Sequence, residues 1–517
     1  MKSKNIISIK VVFLFILVIF SLIGFALVFF PTQLNKIGIS PDSVQYIGTA
    51  RHIIAGAGFT TYNDSPLVLF PPFYPSILAM LGWFFKTDPL LLANSLNALL
   101  FSLIIGISGI LAFKLTQKSI IFSSLALLAI VFSIPLYGVT TMAWTETLFI
   151  FFIMSFFLAF SMYALNHRII PLIILAMVSA FAWLTRYAGV VLVFVGMMSI
   201  FIHPALKTKE KIHHICIFIS LSSLPIGIWF IRNYLISSTF TGHRDLSNYS
   251  LVENIRSILT NISGWFLPNE ILHSRFLIAL VIVVIALVVG LSQREIKIWK
   301  NFYYPLPFAL TVFIFLYGLF LLVSSISSFE QLIDNRYLSP IFIPMTLLFF
   351  SWQNAIKSIS HGRISLIIVF SISVVFSLVF VSHQVKTTLS NKDKLPSFRL
   401  GFNTRTELQN DTIRYLIEHP SLVDNCEIYT NHPVAVDFIA YFPAVTTPSK
   451  GIHYYSSMVI DDISQLYGLW PMQKACLVWL NSHEDKKLYA LSDLKKVITL
   501  EEIVSFSDGS ISYIYKK

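Results

Sequence analysis

Charge is what this sequence has least of. Asp, Glu, Lys and Arg together make up 12% of its 517 residues, against 56% hydrophobic and 15% aromatic. That balance excludes a core wrapped in solvated surface and describes a polytopic α-helical membrane protein. Cysteine is nearly absent: Cys216, Cys426 and Cys476 are too few for a thiolate metal centre or a disulfide-rich scaffold. No P-loop, dinucleotide fingerprint, zinc-spaced Cys/His set or serine-nucleophile elbow occurs, so none of those chemistries has a motif to stand on. His213 and His214 follow Lys211 and read as a solvated helix start rather than metal ligands. There is no internal repeat of roughly 20–50 residues and no low-complexity tract.

Long apolar runs are what the sequence does have. Those able to cross about 30 Å of hydrocarbon fall near residues 9–30, 90–113, 119–137, 147–165, 169–185, 187–203, 214–235, 276–293, 303–323, 338–355 and 364–384. The expectation is therefore about eleven transmembrane helices. The run 9–30 is too long for a signal-peptide core and lacks a small-residue cleavage site, so it reads as a retained first span. "LTRYAG" divides the stretch 169–203 in two. "FPPFYPSILAMLGWFF" is too short to span with certainty and reads as an interfacial or re-entrant helix whose prolines mark its start.

The net charge of +11 is unevenly placed. Residues 1–385 hold 23 Lys+Arg against 11 Asp+Glu, and residues 386–517 hold 14 against 15. The excess belongs to membrane loops, which argues against a nucleic-acid partner and for contact with the lipid bilayer. Lys2, Lys4, Lys10, Lys114, Lys118, Arg168, Lys207, Lys209, Lys211, Arg294, Lys297, Lys300, Lys357 and Arg363 mark one side as cytoplasmic, with the N-terminus there. On the opposite side the cations up to Arg336 are mostly arginine. Lysine suffices as a topology charge, whereas a planar guanidinium fork is preferred for gripping phosphate or carboxylate. After residue 385 the pattern changes. "CEIYTN", "ACLVWLN" and "SISYIYK" predict short strands, and "RTELQNDTIRYLIEH" and "LSDLKKVI" predict amphipathic helices. The reading is a transmembrane domain over 1–385, with a first outer loop at 31–89, and a small extracytoplasmic α/β domain over 386–517. Cys426 and Cys476 each open a predicted strand there; an oxidising compartment could join them, or they are two buried thiols.

Candidate chemistry lies in ionisable residues at the outer membrane edge. In "SPDSVQYIGTARHIIAGAG", Ser40 is a good N-cap, Pro41 suits the first helical position, and Gly56 and Gly58 supply the stop. Asp42 thus sits at the positive end of a short helix, with Tyr46, Thr49 and Ile53 following at helical spacing. It is either a dipole-satisfying acid or a base. Arg186 in "LTRYAG" is a snorkelling cation or an anion ligand. Glu146 in "AWTETLF" begins a span and Arg232 in "IRNYL" ends one, and each also suits a helix dipole. Arg336 in "DNRYLSP" has Asp334 beside it as an ion-pair partner.

In this order and spacing, "PDSVQYIGTARHIIAGAGF", "FPPFYPSILA", "WTETLF", "LTRYAG", "IRNYL" and "NRYLSP" resemble the polytopic GT-C glycosyltransferases over roughly residues 10–350. The resemblance is to the bacterial group of protein O-mannosyltransferases, lipid A aminoarabinose transferases and lipopolysaccharide-core galacturonosyltransferases. It implies an inverting transfer from a polyprenyl-monophosphate sugar donor to an envelope glycolipid, glycan or protein acceptor on the outer face of the membrane. It implies Asp42 as base and Arg186, Arg232 and Arg336 at the donor phosphate, with Glu146, Tyr46 and Asp64 around the donor. Where two of those subfamilies commonly carry a second adjacent acid, this chain has Ser43; Asp64 in "YNDSP" is either that second acid or a turn residue. No cofactor is called for, and a divalent cation stays open. The rival readings are a lipid or sugar transporter, a non-catalytic assembly protein, and an O-antigen polymerase or ligase using a lipid-diphosphate donor.

Overall fold

The computed structural model describes residues 2–35, 37–242, 249–266, 305–327, 332–359, 364–391, 409–451, 455–456, 458–471, 473–481 and 485–517. The expected span at 276–293 lies outside them. The chain divides into two compact units: residues 1–31, 68–74 and 95–393, and residues 32–67, 75–94 and 394–517.

The helices, in chain order, are α1 (Lys2–Asn35), α2 (Pro41–Ile54), α3 (Phe73–Phe85), α4 (Pro89–Leu115), α5 (Ile120–Val131), α6 (Ile134–Thr140), α7 (Glu146–Asn166), α8 (Ile169–Thr185), α9 (Val190–Ile202), α10 (Thr208–Ser237), α11 (Leu251–Phe266), α12 (Pro305–Ser327), α13 (Asn335–Ile359), α14 (Ile364–Asn391), α15 (Asp411–Glu418) and α16 (Leu491–Val497). In the first unit α7, α8 and α10 pack in sequence, α9 and α12 lie against them, and α13 joins α12 to α5 and α6. Among the described residues five helices are long and apolar enough to cross a membrane: α1, α4, α7, α10 and α12. A sixth follows if α5 and α6, bent by 46°, form one span. This is a multi-pass membrane protein. The run expected as a span at 119–137 is bent, because Ser133 caps a new helix by accepting from the Leu136 N–H at 3.2 Å and Pro135 follows at its start. The stretch around "NISGWF" closes the amphipathic helix α11.

In the second unit a five-stranded sheet runs in the order β2 (Ala444–Thr446), β1 (Glu427–Thr430), β3 (Ala475–Leu480), β5 (Gly509–Lys516), β4 (Ile498–Phe506). β2, β1 and β3 are parallel, while β5 is antiparallel to β3 and to β4. Cys426 and Cys476 form a disulfide with a Cα–Cα distance of 5.9 Å. The tail thus carries a small sheet, in a unit that also takes in residues 32–67 and 75–94 of the stretch assigned to the transmembrane domain. Helix α2, from the first long loop, belongs to the same unit. Its Gly48 is a close approach: a Cβ there would stand 3.0 Å from the Cα and Cβ of Tyr62. The Tyr62 N–H donates to Gln45 Oε1 at 3.1 Å, and the Tyr62 hydroxyl donates to the carbonyl of Ala444 on β2. α3 is a short apolar helix that leaves Trp83 and Phe84 largely exposed.

Candidate functional site

In the first unit three of the expected residues converge. The loop before α7 is fixed by the buried Asn97, whose Nδ2 donates to the carbonyls of Thr140 at 2.9 Å and Met142 at 2.8 Å. α7 then opens on Glu146, whose side chain is 1% exposed. Its Oε1 accepts from Arg186 Nη1 at 2.6 Å and from Arg336 Nε at 2.5 Å. Arg186 Nη1 also donates to Thr145 Oγ1 at 2.8 Å. The Arg336 guanidinium lies over the Trp144 ring, 4.0 Å from its centroid, which holds the fork flat against an apolar wall.

Each arginine owes its place to a local break. α8 ends at Thr185, Arg186 is extended at φ −145°, and a single 3-10 turn (Tyr187–Gly189) leads into α9. Gly189 is required there, since a Cβ would come within 2.4 Å of the Trp183 backbone nitrogen. Arg336 stands in the first turn of α13, where Asp334 Oδ1 accepts from its backbone N–H at 2.9 Å and so caps the helix. Asp334 thus caps α13, and the Arg336 side chain reaches Glu146, 190 residues away. Two guanidinium groups thereby share one buried carboxylate, a locally cationic arrangement suited to a phosphate.

Arg232 lies on α10 in the same unit, 4.6 Å over the Trp229 ring, and donates to Asn233 Oδ1 at 2.9 Å. Asn233 and Trp229 both reach the hydroxyl of Tyr187, the neighbour of Arg186. Asp42, Tyr46 and Asp64 belong to the second unit. Asp42 is half-buried in the first turn of α2, where the Ser40 N–H donates to Ser43 Oγ at 3.1 Å. Burial pushes the Tyr455 hydroxyl up, and the charge of Asp42 adds to it. Tyr46 is buried in the unit's interior, and Asp64 is exposed at a turn with φ 60°, its carboxylate 3.7 Å from His52 Nε2.

A second ionic cluster escaped the sequence reading. Arg51 Nε donates to Asp88 Oδ2 at 2.8 Å and its Nη1 to Asp437 Oδ1 at 2.9 Å. Its Cζ lies 4.7 Å from the Phe438 ring centroid. Asp437 sits on a one-turn π-helix (Val434–Ile439), a rare geometry. Burial pushes its carboxyl up to about 6, against the pull of Arg51. The one local sign was Arg51 in the last turn of α2; its partners are 37 and 386 residues away. Beside this triangle lies a cavity of about 840 Å³. Among the described residues no three His, Cys, Asp or Glu side chains are grouped to hold a metal ion.

No family model and no curated protein matches the sequence. Solved structures do match in fold. ArnT from Cupriavidus metallidurans in the apo state is 12% identical with a TM-score of 0.59, covering 99% of this chain and 98% of that one. ArnT bound to undecaprenyl phosphate is 14% identical with a TM-score of 0.59, covering 96% and 97%. The chain has the GT-C fold. The oligosaccharyltransferase AglB from Archaeoglobus fulgidus, in complex with an inhibitory peptide and a dolichol-phosphate, is 13% identical with a TM-score of 0.51, covering 91% of this chain and 69% of that one.

Proposed function

We propose that the protein is an inverting glycosyltransferase that moves a sugar from a polyprenyl-monophosphate carrier to a hydroxyl of an envelope glycolipid, glycan or protein. The observation that carries this is the Glu146 carboxylate shared by Arg186 and Arg336, in a fold also found in proteins with undecaprenyl phosphate and dolichol-phosphate bound. In the reaction the acceptor oxygen attacks the anomeric carbon from the face opposite the phosphate. The glycosyl–phosphate bond breaks with its electron pair leaving on the phosphate, and the acceptor proton passes to Asp42. The carrier brings its own leaving group, so no nucleotide site is needed. Arg186 and Arg336, with Arg232 beside them, stabilise the charge that grows on the departing phosphate, and Glu146 holds the two forks ready. Tyr46 supports the helix of the base from the interior, and Asp64 lies on the same loop.

The donor is thereby a lipid-linked sugar, and the protein lies in the plasma or inner membrane with eleven spans, a cytoplasmic N-terminus and the 386–517 domain outside. The Cys426–Cys476 disulfide supports that side, because such bonds persist in oxidising compartments.

The test is transfer from a polyprenyl-phosphate sugar to native acceptor by purified protein in nanodiscs. Asp42→Asn removes the proton acceptor while keeping shape, so transfer should fall by about 10²–10⁴-fold with the melting point unchanged. Near-normal turnover by that variant overturns the mechanism.

A further inference from the structure

The cavity beside Arg51 is built within one unit, from α2, the ends of β1 and β2, and the segment preceding β3. Its volume of about 840 Å³ falls in the range of small-molecule sites. Three carboxylates line it (Asp88, Asp437 and Glu427) against two cations, Arg51 and Lys474, and Arg51 already holds two of those carboxylates. Such a lining repels a phosphate or other anion. It offers carboxylate acceptors to hydroxyl or ammonium groups, and amide donors and acceptors from Asn425 and Gln473.

Tyr441 is the telling wall residue. Its backbone has φ 61°, a conformation that costs a bulky side chain and that glycine adopts freely. The residue is nonetheless 43% exposed and lines the cavity. Asn425, also in the wall, has the same handedness at φ 61°. An exposed aromatic face among carboxylates and amides is the chemistry that recognises a sugar ring: apolar C–H faces on the aromatic plane, hydroxyls on the polar rim.

The cavity and Asp42 share helix α2. Gly48 of its wall lies six residues on from Asp42 along α2, about 9 Å along the helix axis. Tyr62, in the wall, meets Tyr455 edge to face with centroids 6.3 Å apart. We propose, resting on the glycosyltransferase reading, that this cavity binds the acceptor, and that the acceptor is a neutral or amine-bearing glycan whose terminal hydroxyl reaches Asp42.

The experiment uses the full chain in nanodiscs. Its probe is the pool of water-soluble oligosaccharides released by deacylation from the envelope of the producing cells, followed by saturation-transfer NMR. Unphosphorylated oligosaccharides should give signal with the unmodified protein and with Asp42→Asn. The signal should fall at least tenfold in Tyr441→Gly, which relieves strain and keeps or raises the melting point, and in Gln473→Trp, which fills an exposed part of the wall. In transfer assays Tyr441→Gly should raise acceptor KM about tenfold with kcat and donor KM within twofold. Equal signal in all four proteins, or signal from phosphorylated members alone, overturns the proposal. Transfer that proceeds with an unaltered acceptor KM in both cavity variants sinks the acceptor site alone. Glycan binding that is lost in the variants, with no transfer by the unmodified protein, sinks the enzyme reading and leaves the glycan site standing.

Discussion

A carboxylate held between two guanidinium groups, as Glu146 is between Arg186 and Arg336, cannot lose its charge without leaving two buried cations facing one another. Glu146→Gln keeps the volume and most of the hydrogen bonding and removes only that charge. Breaking one side of a buried pair costs about 3–5 kcal/mol, so the variant should melt well below the unmodified protein in detergent. Arg186→Lys is the milder probe: it keeps the charge and loses the fork, so donor KM should rise more than the melting point falls. Equal rates at every donor concentration would remove Arg186 from the phosphate. Asp437 makes a pH prediction. Its carboxyl is raised to about 6 by burial, above the ordinary value of 3.8, so between those values the folded state binds the extra proton. Stability contributed by that proton is full below about 4 and is lost as pH rises through 6. Asp437→Asn should therefore gain in melting point relative to the unmodified protein between pH 4 and 7. A constant difference across that window would contradict the raised value.

The elements most legible in the sequence were those whose signal is local. The break at "LTRYAG" is visible because an arginine and a glycine interrupt an apolar run, and the structure turns there through Arg186 and Gly189. Because a Cβ on Gly189 would meet backbone rather than a movable side chain, Gly189→Ala should displace the α8–α9 turn. It should lower both the melting point and transfer, and an unperturbed variant would show that the turn tolerates bulk. Strands β1, β3 and β5 were legible from short apolar runs, but β4 was not. Its register shifts between Glu502 and Val504, so a bulge breaks the alternation that marks a strand. β2 is three residues long and carries no periodic signal at all. α11 was not among the predicted elements, although its apolar residues recur at helical spacing. At the site, Asp42, Glu146, Arg186, Arg232 and Arg336 stood out as costly charges at helix ends, whereas their pairing did not. Glu146 and Arg336 are 190 residues apart and Arg51 and Asp437 are 386 apart, and no local pattern encodes such contacts.

At the scale of the whole chain, residues 32–67 and 394–517 share one compact unit. The same grouping makes the tail a support for α2. Arg51 is tied to Asp437, and the Tyr62 hydroxyl to the Ala444 carbonyl, both acceptors in the tail. A chain ending after residue 393 keeps Asp42, Glu146, Arg186, Arg232 and Arg336, yet it strips α2 of those partners. It should insert in the membrane and lose transfer, and trypsin should cut after Arg51, which the full chain shields. A tail that merely recruits a partner predicts the opposite: full turnover with a small soluble acceptor and no new cleavage at Arg51. That outcome would separate the tail from the catalytic unit and leave α2 to be held by its own loop.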